Sequence, residues 1–377
     1  MNNIAEMLRI RALATPDKIG VRYLEHEFSW QDLYHQAYRL SQNLQLANIG
    51  KGDVVGIYAP HSIGQVVALF AVAMRDAVFT IINPLLVPEQ VKYQIQDASA
   101  IAIIGTSNYL SPLEEYFANQ KMHVETIDPA GQFVDDATHE LDLNVQISTN
   151  IPADISNYIY TSGSTGLAKG IVVPQRTLLD GARIVSQYLK IGSADTILSI
   201  LPFSFDYGLN QLMSCVYTGA KIVIHQFIFA KDLIKLLISE KITGMAAVPS
   251  VWPKLLKPGL KQDSGFEFLR YVTSGGGFHP PALLERVSEF FPGTDIIVMY
   301  GLTESFRSAY LPFVEMTNRP GSIGKAVPEV ELLVLNESGD RCKPGEKGEL
   351  VHRGAFVTYG YLNNPGLTKE RFVPLNM

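Results

Sequence analysis

Cysteine is scarce in this chain: Cys215 and Cys342 are the two thiols in 377 residues, far apart and without metal-ligand spacing. That excludes a disulfide framework and a structural zinc site, and it fits a reducing cytoplasm. No run of eighteen apolar residues occurs, so no stretch can span a bilayer as a helix. The N-terminus, Met1 to Arg9, lacks a basic region followed by an apolar core and reads as mature. Positive charge is not in excess either. With 31 Lys and Arg against 37 Asp and Glu the formal net charge is −6, which argues against a nucleic-acid or anionic-membrane surface. Any phosphate must therefore be held by a local site. Charged residues are 18% and hydrophobic residues 47%, a balance that excludes a disordered chain and suits an α/β enzyme with two or more packed subdomains.

What is present is alternation. The apolar runs at residues 52–59, 78–82 and 100–104 read as buried strands, with helices at 64–75 and 88–97 between them. Before them, residues 20–23 and 27–30 suggest a hairpin, with Ser29 capping a helix over 31–47; Ser62 starts the helix at 64. Residues 105–150 are polar and aperiodic and read as a loop-rich excursion. After Gly170 the rhythm resumes, with strands at 171–174, 196–201, 221–225, 244–248, 271–274 and 295–300 separated by helices. Past Leu311 the texture becomes glycine- and proline-punctuated β-structure. The expected fold is α/β, with two βαβ-type subdomains whose parallel-rich sheets are flanked by helices, over 1–170 and 171–311. A small β-subdomain follows at 312–377.

Four segments stand out. Tyr158 to Gly170 places Thr161, Ser162, Ser164 and Thr165 around Gly163 and Gly166, followed by Lys169. Hydroxyls, glycine amides and one cation suit an anion. The loop is not the Walker type, because its glycines are three apart rather than five; read alone, it is also an ordinary Ser/Gly turn. Ser274 to Phe278 contains Gly275, Gly276 and Gly277, a wall without side chains. Tyr300-Gly301-Leu302-Thr303-Glu304 offers an aromatic face, a hydroxyl and a carboxylate. Gly348 to Gly354 and Gly360 to Pro365 form the last pair of glycine-bounded stretches.

In this order, over nearly the whole chain, these segments resemble the motifs of the adenylate-forming superfamily: acyl-CoA synthetases, acyl-AMP ligases, peptide-synthetase adenylation domains and firefly-type luciferases. The resemblance implies that Thr161 to Gly166 and Lys169 hold ATP phosphates. It also implies that Gly275 to Gly277 line the adenine slot and that Tyr300 and the adjoining Gly301 lie against the adenine. Thr303 then meets the α-phosphate and Glu304 holds Mg²⁺. The implied reaction is attack of a carboxylate on the α-phosphorus of ATP, releasing pyrophosphate and leaving an acyl-adenylate. The acyl group then passes to coenzyme A or a carrier-protein phosphopantetheine, often in secondary metabolism. The family continues with a ribose-binding aspartate, a hinge and a C-terminal domain bearing a catalytic lysine. This sequence stops at Met377, before them, so poor turnover by residues 1–377 alone is expected.

The same resemblance places the acyl pocket at Asp206; Arg307, three residues beyond Glu304, is within reach of it, and Tyr207, Val272, Phe278 and Met299 are its expected apolar lining. Asp206 aligns with the aspartate that holds a substrate ammonium in amino-acid-activating members, yet Gly208-Leu209 after it also fits fatty-acyl ligases, and a helix cap is an equal reading. Pairing of Asp206 with Arg307 would favour an uncharged acyl group; an open Asp206 would favour an amino acid. A non-catalytic nucleotide- or acyl-binding module is the rival from another class.

Overall fold

The computed structural model describes residues 1–132, 148–162, 167–257, 259–260, 265–316, 318–319 and 321–374. Its first sheet has six strands, in the order His123–Thr126, Ala102–Gly105, Val54–Tyr58, Val78–Ile81, Ile155–Ser162 and Ala168–Pro174. Every pairing is parallel except the last, a hairpin. Three strands, Val54–Tyr58, Val78–Ile81 and Ala102–Gly105, are buried along their full length, which is why they read as unbroken apolar runs rather than alternating ones.

The second sheet has nine strands: Lys325–Ala326, Ala309–Pro312, Asp295–Tyr300, Tyr271–Ser274, Gly244–Ala247, Thr196–Ser199, Lys221–Ile224, Ile19–Tyr23 and His26–Ser29. Its middle is parallel and both edges turn antiparallel. Val330–Leu335 and Glu349–Gly354 form a separate hairpin.

The helix Ile63–Met74 is buried at every position and packs on strands of both sheets and on the helix Trp30–Leu46. A helix apolar all round has no solvent face to offer, so it takes the centre. Ser62 caps it through Gln65 N at 3.4 Å. Ser29 and Asp32 make a reciprocal capping box, 3.0 Å in each direction. One core joins Ile4, Trp30, Phe70, Leu178, Phe203 and Phe306.

Two arrangements differ from the order read along the chain. The early hairpin Ile19–Tyr23/His26–Ser29 docks on Lys221–Ile224, so residues 1–170 supply strands to both sheets, and residue 170 lies inside the strand Ala168–Pro174. Pairing partners two hundred residues away leave no local trace. Within the supposed loop-rich stretch, Ser107–Leu110 and Glu114–Asn119 are helical and His123–Thr126 is an edge strand with alternating exposure. An edge strand tolerates such polar composition, which hid it. Among the described residues no helix is long and apolar enough to cross a membrane.

Because the central strands of the nine-stranded sheet are parallel, their carboxyl ends share one rim. Asp206, Gly275 to Gly277 and the residues after Tyr300 all follow strand ends there, where open α/β sheets bind ligands.

Candidate active site

The site is built on a turn between antiparallel strands. Tyr300 pairs with Ala309, which makes 301–308 the connecting loop. Gly301 allows its tight return: a Cβ there would stand 2.8 Å from the Phe306 carbonyl and 3.0 Å from Arg307 Cα. Ser308 N donates to Tyr300 O at 2.9 Å and closes it. Phe306 is the anchor, fully buried at φ +54°, with its ring stacked on Phe356 at 6.0 Å.

From this loop two side chains reach distant segments. Thr303 Oγ1 donates to Asp206 Oδ1 at 3.3 Å. Glu304 Oε1 accepts from the Tyr361 hydroxyl at 2.6 Å, and the Glu304 carbonyl accepts from Thr358 N and Oγ1, both at 3.0 Å. Burial and then the Glu304 carboxylate raise the Tyr361 phenol above its ordinary value, so Tyr361 stays the donor. Residues around Tyr361 lie along Ala168–Pro174, with Leu362 N to Gly170 O at 2.8 Å and Val172 N to Gly360 O at 2.9 Å. Lys169 lies on that same strand, half-buried, in register with half-buried Thr161. The last glycine-bounded motif thus ties the Tyr300 loop to the strand carrying Lys169. Gly163, Ser164, Thr165 and Gly166 lie outside the described residues, as does the side chain of Ser162.

Among the described residues no three His, Cys, Asp or Glu side chains form a metal cluster. Glu304 nonetheless suits Mg²⁺. Tyr361 fixes one oxygen, no described residue donates to Oε2, and this cation takes one or two carboxylates plus phosphate and water oxygens rather than a protein cage.

On the opposite side of the rim Gly275 is buried, with space for a Cβ only 3.2 Å from Tyr207 Cε1, while Gly276 and Gly277 are exposed. Gly276 adopts φ +81°, a conformation that glycine alone takes freely. Tyr300 is half-buried at the end of the neighbouring strand, so the flat wall and the aromatic share one rim.

Beneath lies a small cavity of about 20 Å³ lined by Tyr207, Asn210, Ser214, Thr273, Met299 and Arg307 among others. At about 10–15 Å³ per water it admits one or two water-sized groups, too little for an extended acyl chain. Tyr207 is held by Thr273 at 2.6 Å, and burial pushes its phenol up to about 12. Arg307 is 4% exposed, its guanidinium 4.6 Å over the Tyr207 ring.

Two expected lining residues are elsewhere. Val272 alternates with Tyr271 and Thr273 along its strand and faces the other side of the sheet, among Trp252 and Leu284. A one-residue error in register moves a side chain to the wrong face. Phe278 stands 81% exposed beyond the glycines. Conversely, Asn210 and Ser214 were not singled out from the sequence. They follow Asp206 at four-residue steps on the helix Asp206–Thr218, a polar stripe on an otherwise apolar face that carried the signal.

Asp206 is the first residue of that helix and does not cap it; the N-cap is Phe205. It makes no ion pair with Arg307, so the pairing that would have favoured an uncharged acyl group is not made. Burial raises the Asp206 carboxyl above its ordinary value, and the Arg307 charge and the Thr303 hydrogen bond pull it partly back. A raised folded-state pKa makes ionised Asp206 a stability cost at neutral pH, and the cost vanishes as pH falls below the ordinary carboxylate range. Asp206→Asn is therefore expected to raise the thermal midpoint at about pH 7 and to lose that advantage near about pH 4. Melts of both proteins across that range check this; a constant difference would remove the titration from the explanation.

The family model described as AMP-binding enzyme matches residues 8–362. The chain is 28% identical over 373 residues to Delta-poly-L-ornithine synthetase of Acinetobacter baumannii (strain AB307-0294), covering 98% of this chain and 26% of that protein. It is 25% identical over 375 residues to gramicidin S synthase 2 of Aneurinibacillus migulanus, covering 98% of this chain and 8% of that protein. The chain thus spans about a quarter or less of these relatives' length. Among solved structures, o-succinylbenzoate CoA synthetase (MenE) from Bacillus subtilis with its acyl-adenylate intermediate OSB-AMP aligns with a TM-score of 0.86. Identity is 23%, covering 98% of this chain and 73% of that one, and the likeness shows the fold.

Proposed function

Because the chain belongs to the AMP-binding enzyme family, we propose that it activates a small carboxylic acid with ATP. A carboxylate oxygen attacks the α-phosphorus, the bond to the bridging oxygen of pyrophosphate breaks, and acyl-adenylate and pyrophosphate result. A thiol, of coenzyme A or of a carrier-protein phosphopantetheine, then displaces AMP to give a thioester. Such chemistry rests on positioning and charge neutralisation more than on proton transfer.

In this reading Lys169 and the loop from Thr161 receive the phosphates, the Gly275 to Gly277 wall and Tyr300 bound the adenine, and the Thr303 hydroxyl directs the reacting phosphate. Mg²⁺, when bound, offsets phosphate charge, and Glu304 Oε2 is the oxygen that would hold it. The observation that supports this best is the hydrogen-bonded cluster itself. Thr303 to Asp206 and Glu304 to Tyr361 join the rim of one sheet to the strand of Lys169 on the other.

Acid-dependent exchange of labelled pyrophosphate into ATP by the full-length gene product is the test. Exchange with at least one acid supports the reading; none across a broad panel leaves a non-catalytic nucleotide-binding module. An amino acid is the second reading for the acyl group, favoured by Asp206. Among the described residues it has no paired cation, which leaves its carboxylate for a substrate ammonium. Relatives named as synthetases of poly-L-ornithine and of gramicidin S support the same choice.

A further inference from the structure

The cavity below the rim holds a buried cation with nothing bound to its best edge. Arg307 is 4% exposed, and its Nε and Nη2 have no hydrogen-bond partner. Those two groups are not scattered donors. In a guanidinium, Nε–H and one Nη2–H leave the same edge side by side, the fork that matches both oxygens of a carboxylate. Among the described residues Arg307 makes no ion pair, and Tyr207 covers one of its faces at 4.6 Å without meeting either donor. Asn210 Nδ2, Gln211 Oε1 and Ser214 Oγ, which line the same cavity, are likewise buried without partners.

A buried guanidinium left without a counter-charge is costly, and the orphaned donors around this small cavity, Arg307 Nε and Nη2, Asn210 Nδ2 and Ser214 Oγ, point to one acceptor group that satisfies them together. Val185, Leu189, Ile197 and Met299 supply apolar wall between these polar groups. Asp206, held by Thr303, is not among the residues that line this cavity. The volume of about 20 Å³ accommodates a group of carboxylate size and little more.

We propose that the acid activated here is short and carries a second carboxylate, which Arg307 receives through its Nε/Nη2 edge at the closed end of the pocket. The proposal rests on the adenylation reading and names its substrate class. The first carboxylate stays at the rim to attack ATP; the second is bound and does not react. Asn210 and Ser214 complete its hydrogen bonds.

Pyrophosphate exchange with carbon-matched pairs tests this: malonate against propionate, succinate against butyrate, and aspartate against 2-aminobutyrate. The wild type is expected to prefer the second-carboxylate member of at least one pair by about 10²-fold or more in kcat/KM, the size expected when one side of a buried charge pair is removed. Arg307→Leu is expected to abolish that preference and to bring the monocarboxylate of the pair up to or above the diacid. A merely structural arginine would lower both members equally. The wild-type panel does not depend on any variant folding. Exchange driven only by the monocarboxylates overturns the proposal while adenylation stands. Exchange with none of these six acids but with some other monocarboxylic acid overturns it in the same way. Exchange with no acid of any kind overturns both readings.

Discussion

Glu304→Gln is expected to lower acid-dependent pyrophosphate exchange by about 10²–10³-fold, the usual effect of deleting one electrostatic group at a reacting centre. The substitution isolates charge from shape. A glutamine keeps an acceptor oxygen at the position that Tyr361 holds at 2.6 Å, and the Glu304 carbonyl, bound by Thr358, is untouched. The loop should therefore stay in place, and the unfolding midpoint should move little. What disappears is the negative charge on Oε2 that suits Mg²⁺. Titrating exchange with Mg²⁺ separates the two effects, because the variant should need more metal for its residual rate. Unchanged exchange at low Mg²⁺ would take Glu304 out of the metal role.

Phe306→Ala is expected to destabilise the protein by about 3–5 kcal/mol, the range for deleting a buried aromatic side chain. The ring is fully buried, stacked on Phe356, and so close to Gly181 that a Cβ there would lie 2.6 Å from it. The backbone at Phe306 sits at φ +54°, unusual for a bulky residue, and its side-chain packing holds it there. Removing the ring frees the loop that carries Thr303, Glu304 and Arg307, so exchange should fall together with stability. Gly181→Val should act from the other side of the same contact. Urea unfolding measures the loss; a change below about 1 kcal/mol would mean the loop is held by its backbone bonds instead.

The buried strands were legible because each is a continuous apolar run, and the helix starting after Ser62 because its cap and its run of alanine and valine agree. The glycines at 275–277 were legible as a wall without side chains, and at two of them the structure gives a reason: a Cβ at Gly275 would stand 3.2 Å from Tyr207, and Gly276 sits at φ +81°. The pairing of Ile19–Tyr23 with Lys221–Ile224 was not, because strand partners leave no local mark. Nor was the face to which Val272 points, since the alternation of residues 271–273 is equally compatible with either register. The Tyr361 to Glu304 contact was hidden too: a tyrosine within a glycine-bounded motif carries no sign that its hydroxyl reaches a loop 57 residues earlier. Arg307 was visible as a cation beside the motif, but the open Nε/Nη2 edge is a property of the packed cavity alone.

A substrate carboxylate is expected to attack the α-phosphorus of ATP. An acid labelled with ¹⁸O in its reacting carboxylate, turned over with ATP and an acceptor thiol, tests it directly, because the oxygen that forms the new bond stays with phosphorus when the thioester forms. One labelled oxygen is expected in the AMP and none in the pyrophosphate. Label in inorganic phosphate or pyrophosphate, with unlabelled AMP or ADP, would contradict it.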